Sequence, residues 1–124
     1  MDFSQAVYAD VRVIAVKGRV DHATADQFRT QLWPVLASCS ADGEKFLLDL
    51  SALEYISSAG LRVLMLAARE VKPRQGTLVV CELSPVVKEI FEISRFNVVF
   101  RVYPDLRAAL AELSERAALA YGKG

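Results

Sequence analysis

Two consecutive serines, Ser57 and Ser58, are the side chains of this chain best placed for chemistry. They follow an apolar run of strand length at 46–50 and precede a helical pattern in which positions 56, 60, 63, 64 and 67 share one face. A serine at a helix start accepts a hydrogen bond from a backbone N–H that the first turn leaves unpaired. The same N–H groups and the helix dipole attract an anion, so a phosphate on either hydroxyl would be tolerated. The pair is therefore a candidate helix cap and a candidate site of regulatory phosphorylation.

The residues around these serines do not indicate catalysis. A Ser-His-Asp arrangement would need His22, the only histidine, and neither serine lies in a Gly-x-Ser-x-Gly elbow. One histidine with the separated Cys39 and Cys81 does not supply a metal site, and no glycine-rich phosphate loop follows a predicted strand. We therefore predict no enzyme activity, no metal and no cofactor, and we interpret Ser58 as a substrate of another enzyme.

The elements that would position the serines alternate between strands and helices. Apolar, β-branched and aromatic runs predict strands at 3–8 and 11–16, joined as a hairpin, and at 45–50, 77–81 and 98–102. Helical spacing predicts helices at 23–38, at 58–71, from Ser84-Pro85 onward and at 105–118. This alternation predicts an α/β fold: a mixed sheet of four to five strands packed with about four helices, with parallel strands beyond the hairpin.

Three local features complete this prediction. Gly18–Asp21 is expected to be a loop, with Asp21 as the N-cap of the first helix. Pro34 lies inside that helix and is expected to kink or split it, because proline removes a backbone donor. Residues 1–120 are expected to form one domain, and residues 121–124 a flexible tail.

Composition limits the classes of partner. Lysine plus arginine and aspartate plus glutamate both number 15, so no basic excess favours nucleic acid or an anionic membrane. No apolar run approaches the ~20 residues that cross a bilayer, and residues 1–5 lack the features of a signal peptide. Two cysteines are too few for a disulfide framework. We therefore expect a cytoplasmic protein that binds neither nucleic acid nor membrane.

Residues 55–61, which read Tyr-Ile-Ser-Ser-Ala-Gly-Leu, resemble the phosphorylation loop of the STAS domain family, the bacterial anti-sigma factor antagonists. Residues 18–25 resemble the family's Gly-x-(Leu/Val)-Asp-x-x-Thr loop, and residues 79–87 resemble its strand, turn and Ser-Pro helix start. Two positions depart from the usual pattern: Ser57 replaces an aspartate, and Ala59 replaces a second hydroxyl.

The resemblance implies a single STAS domain and a mechanism of partner switching. In this family the unphosphorylated protein binds an anti-sigma factor that is a GHKL-type serine kinase, phosphorylation releases the complex, and a PP2C-type phosphatase resets it. The register places Ser58 at the phosphoacceptor, with Ser57 as the alternative acceptor. The alternative function that the family allows is a structural subunit of a larger complex, such as a lipid-transport ABC system.

The same resemblance implies a partner-binding surface. Its members would come from the loop at 21–24 and from the start of the second helix: Asp21, Thr24, Ser57, Ser58, Gly60 and Arg62. Other interpretations stay open for several of them. Asp21 and Thr24 could be a capping pair, Gly60 could permit close packing of the helix start, and Arg62 could be a solvated charge.

Overall fold

The structure, a computed structural model, describes residues 1–123 of this protein. Six strands form its sheet. The strands are β1 (Asp2–Tyr8), β2 (Val11–Val20), β3 (Lys45–Asp49), β4 (Leu53–Ile56), β5 (Leu78–Cys81) and β6 (Val102–Tyr103). Their order is β1-β2-β3-β5-β6, with β4 paired to β2. The β1–β2 hairpin is antiparallel and the other pairs are parallel, so the predicted mixed α/β sheet is confirmed.

The helices lie on both faces of this sheet. They are α1 (Ala25–Leu36), α2 (Ser58–Val71), α3 (Pro85–Ile93), α4 (Phe96–Val99), α5 (Leu106–Leu113) and α6 (Glu115–Lys123), with a 3₁₀ turn at Lys72–Arg74. Alternate residues of the buried strand β3 enter two cores, Phe46 and Leu48 on the side of α1, α2 and α3, and Leu47 on the side of α5 and α6. The strand and helix counts are each slightly higher than predicted.

The strand β2 is longer than predicted, so the expected loop at Gly18–Asp21 is wrong for its first three residues. Val11–Ala15 pair with β3, and the strand then shifts register at Gly18 and continues to Val20 alongside β4. Gly18 has a φ of +87°, which glycine adopts without strain. The sequence showed no sign of β4, because its four residues are held as a strand by pairing with a segment more than thirty residues away.

The first helix also differs from its prediction. Thr24, not Asp21, occupies the N-cap position of α1, and the helix runs through Pro34 as a single element. Pro34 has no N–H to donate to the carbonyl of Thr30, four residues earlier in the helix. Both residues are exposed. Water can therefore satisfy the freed carbonyl, and the proline does not split the helix.

The C-terminal part differs most. The predicted strand at 98–102 is wrong at Val98 and Val99, which belong to α4, and only Val102 and Tyr103 pair as β6. The predicted helix at 105–118 breaks at Ser114 into α5 and α6. The second of these reaches Lys123, and Gly124 lies outside the described residues. The domain boundary at 120 and the flexibility of the tail stay predictions.

None of the helices in the described residues has both the length and the hydropathy that crossing a bilayer requires.

Candidate functional site

Ser57 is the N-cap of α2. Its backbone is extended, and its side-chain oxygen accepts a hydrogen bond from the Gly60 N–H at 3.3 Å. Its own N–H donates to the Val20 carbonyl at 2.8 Å, which ties the helix start to the end of β2. Ser57 is 5% exposed and is the single buried polar side chain of residues 1–122. The hydroxyl is therefore committed to capping and is turned away from solvent.

Ser58 is the first residue of α2 and is exposed. Because Ser57 supplies the cap, the structure does not require the Ser58 hydroxyl to hold the helix start. The adjacent helix N-terminus carries partial positive charge, which favours an anion at this position. Of the two serines, only Ser58 is exposed to solvent.

Gly60 lies where the start of α2 packs against the ends of β2 and β4. A Cβ atom at this position would lie 2.7 Å from Cγ1 of Val20 and 2.7 Å from Cγ1 of Ile56. Both of those side chains are buried, and they belong to the paired ends of β2 and β4. Gly60 is therefore a close-packing glycine that seats the start of α2 against the sheet.

The loop between β2 and α1 is closed by reciprocal hydrogen bonds between Asp21 and Thr24. Asp21 Oδ1 accepts from the N–H groups of Ala23 at 2.9 Å and Thr24 at 3.2 Å, and Thr24 Oγ1 accepts from the Asp21 N–H at 2.9 Å. Slight burial raises the pKa of Asp21, but the hydrogen bonds that its carboxylate accepts from Ala23 and Thr24, together with the charge of Arg19, outweigh it and hold the pKa below its usual value. The loop thus presents a fixed carboxylate.

The sheet brings this loop and the start of α2 together. Val20 and Ile56 are paired residues at the ends of the parallel strands β2 and β4, so the residues that follow them, Asp21 and Ser57, leave the same edge of the sheet. Beside them the Arg19 guanidinium lies 4.6 Å from the centre of the Tyr55 ring. The two segments singled out from the sequence are therefore neighbours in space.

Arg62 lies one turn after Ser58 and is exposed. The two side chains line the same groove of about 390 Å³, together with Leu61, Met65, Leu66, Arg69 and Phe96. Sequence reasoning singled out neither Met65, Leu66 nor Phe96. The spacing of Arg62, Leu66 and Arg69 in the sequence predicts that they lie on the same side of α2. Phe96 belongs to α4, and no local pattern in the sequence connects it to this site.

Comparison with known proteins identifies the family. The model of the STAS domain matches residues 3–109 of this chain. The protein belongs to the STAS domain family. This STAS protein is 42% identical over 99 residues to BtrV of Bordetella bronchiseptica, a candidate anti-sigma factor antagonist, and the match covers 80% of this chain and 83% of BtrV.

Solved STAS structures share the fold. An anti-sigma factor antagonist from Mycobacterium paratuberculosis superposes with a TM-score of 0.80 at 24% identity, over 90% of this chain and 92% of that one. SpoIIAA, a Bacillus cell fate determinant, matches in its phosphorylated form with a TM-score of 0.68 at 17% identity, over 91% and 100% of the two chains. Its unphosphorylated form also gives 0.68, at 19% identity and over 99% and 97%.

Proposed function

We propose that this STAS protein is a cytoplasmic anti-sigma factor antagonist that works by partner switching. The unphosphorylated form binds an anti-sigma factor that is also a GHKL-type serine kinase. Phosphorylation of Ser58 releases this partner, and a PP2C-type phosphatase restores the hydroxyl. The observation that carries the proposal is the division between two adjacent serines, since the buried Ser57 caps α2 and leaves the exposed Ser58 free for modification.

The chemistry of the switch belongs to the kinase. The Ser58 oxygen forms a bond to the γ-phosphorus of ATP, the bond from that phosphorus to the β-phosphate oxygen breaks, and ADP leaves. The serine proton passes to a base of the kinase. Because Ser57 is buried, its hydroxyl could reach an active site only if the first turn of α2 opened.

Release follows from charge and bulk. A phosphate on Ser58 adds a charge of about −1.5 to −2 at neutral pH in the middle of the proposed contact surface. The N-terminus of α2 stabilises the added charge, so the fold is expected to persist while the interface is lost. The similarity to SpoIIAA supports this, since the STAS fold is found both with and without the phosphate in that protein.

The proposed partner surface consists of the closed β2–α1 loop and the first turns of α2. Its solvent-accessible residues are Asp21, Thr24, Ser58 and Arg62. The expected contact residues Ser57 and Gly60 are buried, so they support this surface from beneath. Gly60 contributes by seating the helix, and Asp21 contributes a charged acceptor. The 42% identity to BtrV, a candidate anti-sigma factor antagonist, supports the proposed function.

The site is tested by incubation with the cognate kinase and ATP, followed by peptide mass spectrometry. One phosphate is expected, at Ser58. It should be kept in Ser57→Ala and lost in Ser58→Ala, with thermal melts showing that both variants are folded. Exclusive labelling at Ser57 would contradict the assignment and would mean that the first turn of α2 opens during the reaction.

The switch is tested by calorimetry with the same kinase. Wild type and Ser58→Ala should bind equally well, and phosphorylated protein should bind much more weakly, with Ser58→Asp in between because a carboxylate copies only part of the phosphate charge. Asp21→Asn is a sharper probe of the loop than Asp21→Ala, because an amide oxygen can keep the hydrogen bonds to Ala23 and Thr24 while removing the charge. If phosphorylated protein binds as tightly as unmodified protein, partner switching is wrong, and a structural STAS subunit becomes the better assignment.

A further inference from the structure

A long groove runs along the exposed side of α2, from Ser58 toward Lys72, with α4 as its other wall. It consists of the depression of about 390 Å³ beside Ser58 and a second one of about 630 Å³ nearer the C-terminal end of α2. Met65 and Arg69 line both depressions, so the two are adjacent along α2. We name this feature the α2–α4 groove. It extends the proposed contact surface well beyond the phosphoacceptor.

The charged residues that line the α2–α4 groove are all cationic. Arg62, Arg69 and Lys72 line it, and no aspartate or glutamate does. The protein has equal numbers of acidic and basic residues, so this grouping does not follow from composition. Within residues 1–122 none of the three cations forms an ion pair, whereas Arg74 nearby pairs with Glu70 at 3.5 Å. The groove therefore holds three cations that have no ion-pair partner among residues 1–122.

The walls between these cations are apolar. Met65 and Leu66 are partly exposed on α2, and Val99 of α4 is 48% exposed, which is high for a large apolar side chain. Methionine adapts its shape to different partners. A concave apolar strip flanked by cations is suited to the apolar face of an amphipathic helix with acidic edges.

We propose that the α2–α4 groove binds an acidic amphipathic helix of the kinase partner. This inference rests on the proposed function for the identity of the partner. Arg62 and Lys72 are ten residues apart, which is about 15 Å along a helix axis, so the occupant needs about three turns. Its apolar residues would recur at i, i+4 and i+7, with aspartate or glutamate beside them.

The occupant also accounts for the effect of phosphorylation. Ser58 and Arg62 share one end of the groove, so a phosphate there would neutralise the nearest cation and repel an acidic helix at the same time. Release would then depend on charge as well as on steric overlap. Binding of the unphosphorylated protein should accordingly weaken as salt increases, since salt screens exposed charges.

The test reverses the two cations farthest from Ser58. Affinity for the kinase that phosphorylates Ser58 is measured by calorimetry for wild type, for the double variant Arg69→Glu/Lys72→Glu, and for Arg107→Glu. Arg107 is an exposed cation of α5 on the opposite face of the sheet, so its reversal is a control for charge reversal outside the groove, with half the change in net charge of the double variant. We expect the double variant to bind about tenfold more weakly with a reduced salt dependence, and the control to bind like wild type.

A second measurement identifies the occupant. A benzoylphenylalanine photocrosslinker placed at Leu66 should link to an acidic amphipathic helix of the kinase, as determined by peptide mass spectrometry. A link to a loop or to a basic segment would overturn the inference, as would full affinity in the double variant. Binding of wild type to anionic lipid vesicles, abolished in the double variant, would assign the groove to a membrane instead.

The outcomes separate this inference from the proposed function. If the kinase phosphorylates Ser58 but binds the folded double variant with full affinity, the groove assignment fails and the switch survives. If no phosphate is added to Ser58 in wild type, the proposed function itself fails. Melting curves of the double variant are required, because Arg69 and Lys72 lie at the C-terminal end of α2, where cations also stabilise the helix dipole.

Discussion

Substitution of Gly60 by alanine tests the packing that seats the phosphoacceptor helix. Alanine normally stabilises a helix relative to glycine, so propensity alone predicts a gain of roughly 0.5–1 kcal/mol. At this position, however, the added methyl would lie 2.7 Å from two carbons, one of Val20 and one of Ile56. Both contacts are shorter than a carbon–carbon van der Waals distance, so the surroundings must move.

The surroundings have little freedom to do so. Val20 and Ile56 are 0% and 2% exposed, they are β-branched, and their backbones are paired with each other in the sheet. Overpacking of this kind costs roughly 1–3 kcal/mol. Subtracting the gain in propensity leaves a net loss of about 0.5–2 kcal/mol in the free energy of unfolding for Gly60→Ala.

Gly122 provides a matched control in the same protein. It lies in the helix α6, is exposed, and has no atom within 4 Å of the position where a Cβ would be. The same change there carries the propensity gain without the clash, so Gly122→Ala should be neutral or stabilising by up to about 1 kcal/mol. The two variants should therefore shift stability in opposite directions.

Urea unfolding of wild type and both variants measures these differences. The midpoints should move apart with unchanged slopes, since a change in midpoint at constant slope reports stability alone. If Gly60→Ala gained as much stability as Gly122→Ala, the contact between α2 and the sheet would be looser than the structure shows. The account of Gly60 as a close-packing glycine would then be refuted.

Three further outcomes are expected. Ser57→Ala should lower the free energy of unfolding by about 0.5–2 kcal/mol through loss of the α2 cap, whereas Ser58→Ala should change it little. Equal losses for the two variants in denaturant melts would contradict the assignment of the cap to Ser57 alone. Burial raises the pKa of the Cys81 thiol to about 12, so native protein should not react with a thiol reagent at pH 8 until it is unfolded. The hydrogen bond from Arg12 lowers the pKa of Glu44, outweighing its partial burial. Stability from Glu44 is thus present above about pH 4.5 and is lost as pH falls further, and Glu44→Gln should flatten acid unfolding in that range.

Local patterns were sufficient for the parts of the site that lie within one element. The period of apolar residues and the serine pair predicted α2 over 58–71, and the structure gives Ser58–Val71. Such helices are predictable because capping and amphipathic spacing involve residues only three or four positions apart. The match to the STAS motif and the alternation of strands and helices could also be predicted, because both are patterns of residues close together in the sequence.

The segments that were mispredicted depend on distant contacts. Val98 and Val99 are β-branched and suggest a strand, yet they lie in α4. The preceding Arg95 turns the chain with a φ of +60°. Phe96 is buried, and the centre of its ring lies 5.7 Å from that of Phe91 and 6.2 Å from that of Phe100. Burial of this aromatic ring outweighs the local preference for a strand, because propensity is weaker than packing.

The sequence by itself determined that this protein is a single STAS domain with two serines at the start of a helix. Only the tertiary structure decided between those serines, by burying Ser57 under the end of β2 and exposing Ser58. It also placed Asp21 beside them through the pairing of β2 with β4, and it built the α2–α4 groove from helices far apart in the chain. The physical reason is that exposure, and proximity between distant segments, exist only after the chain has closed its core.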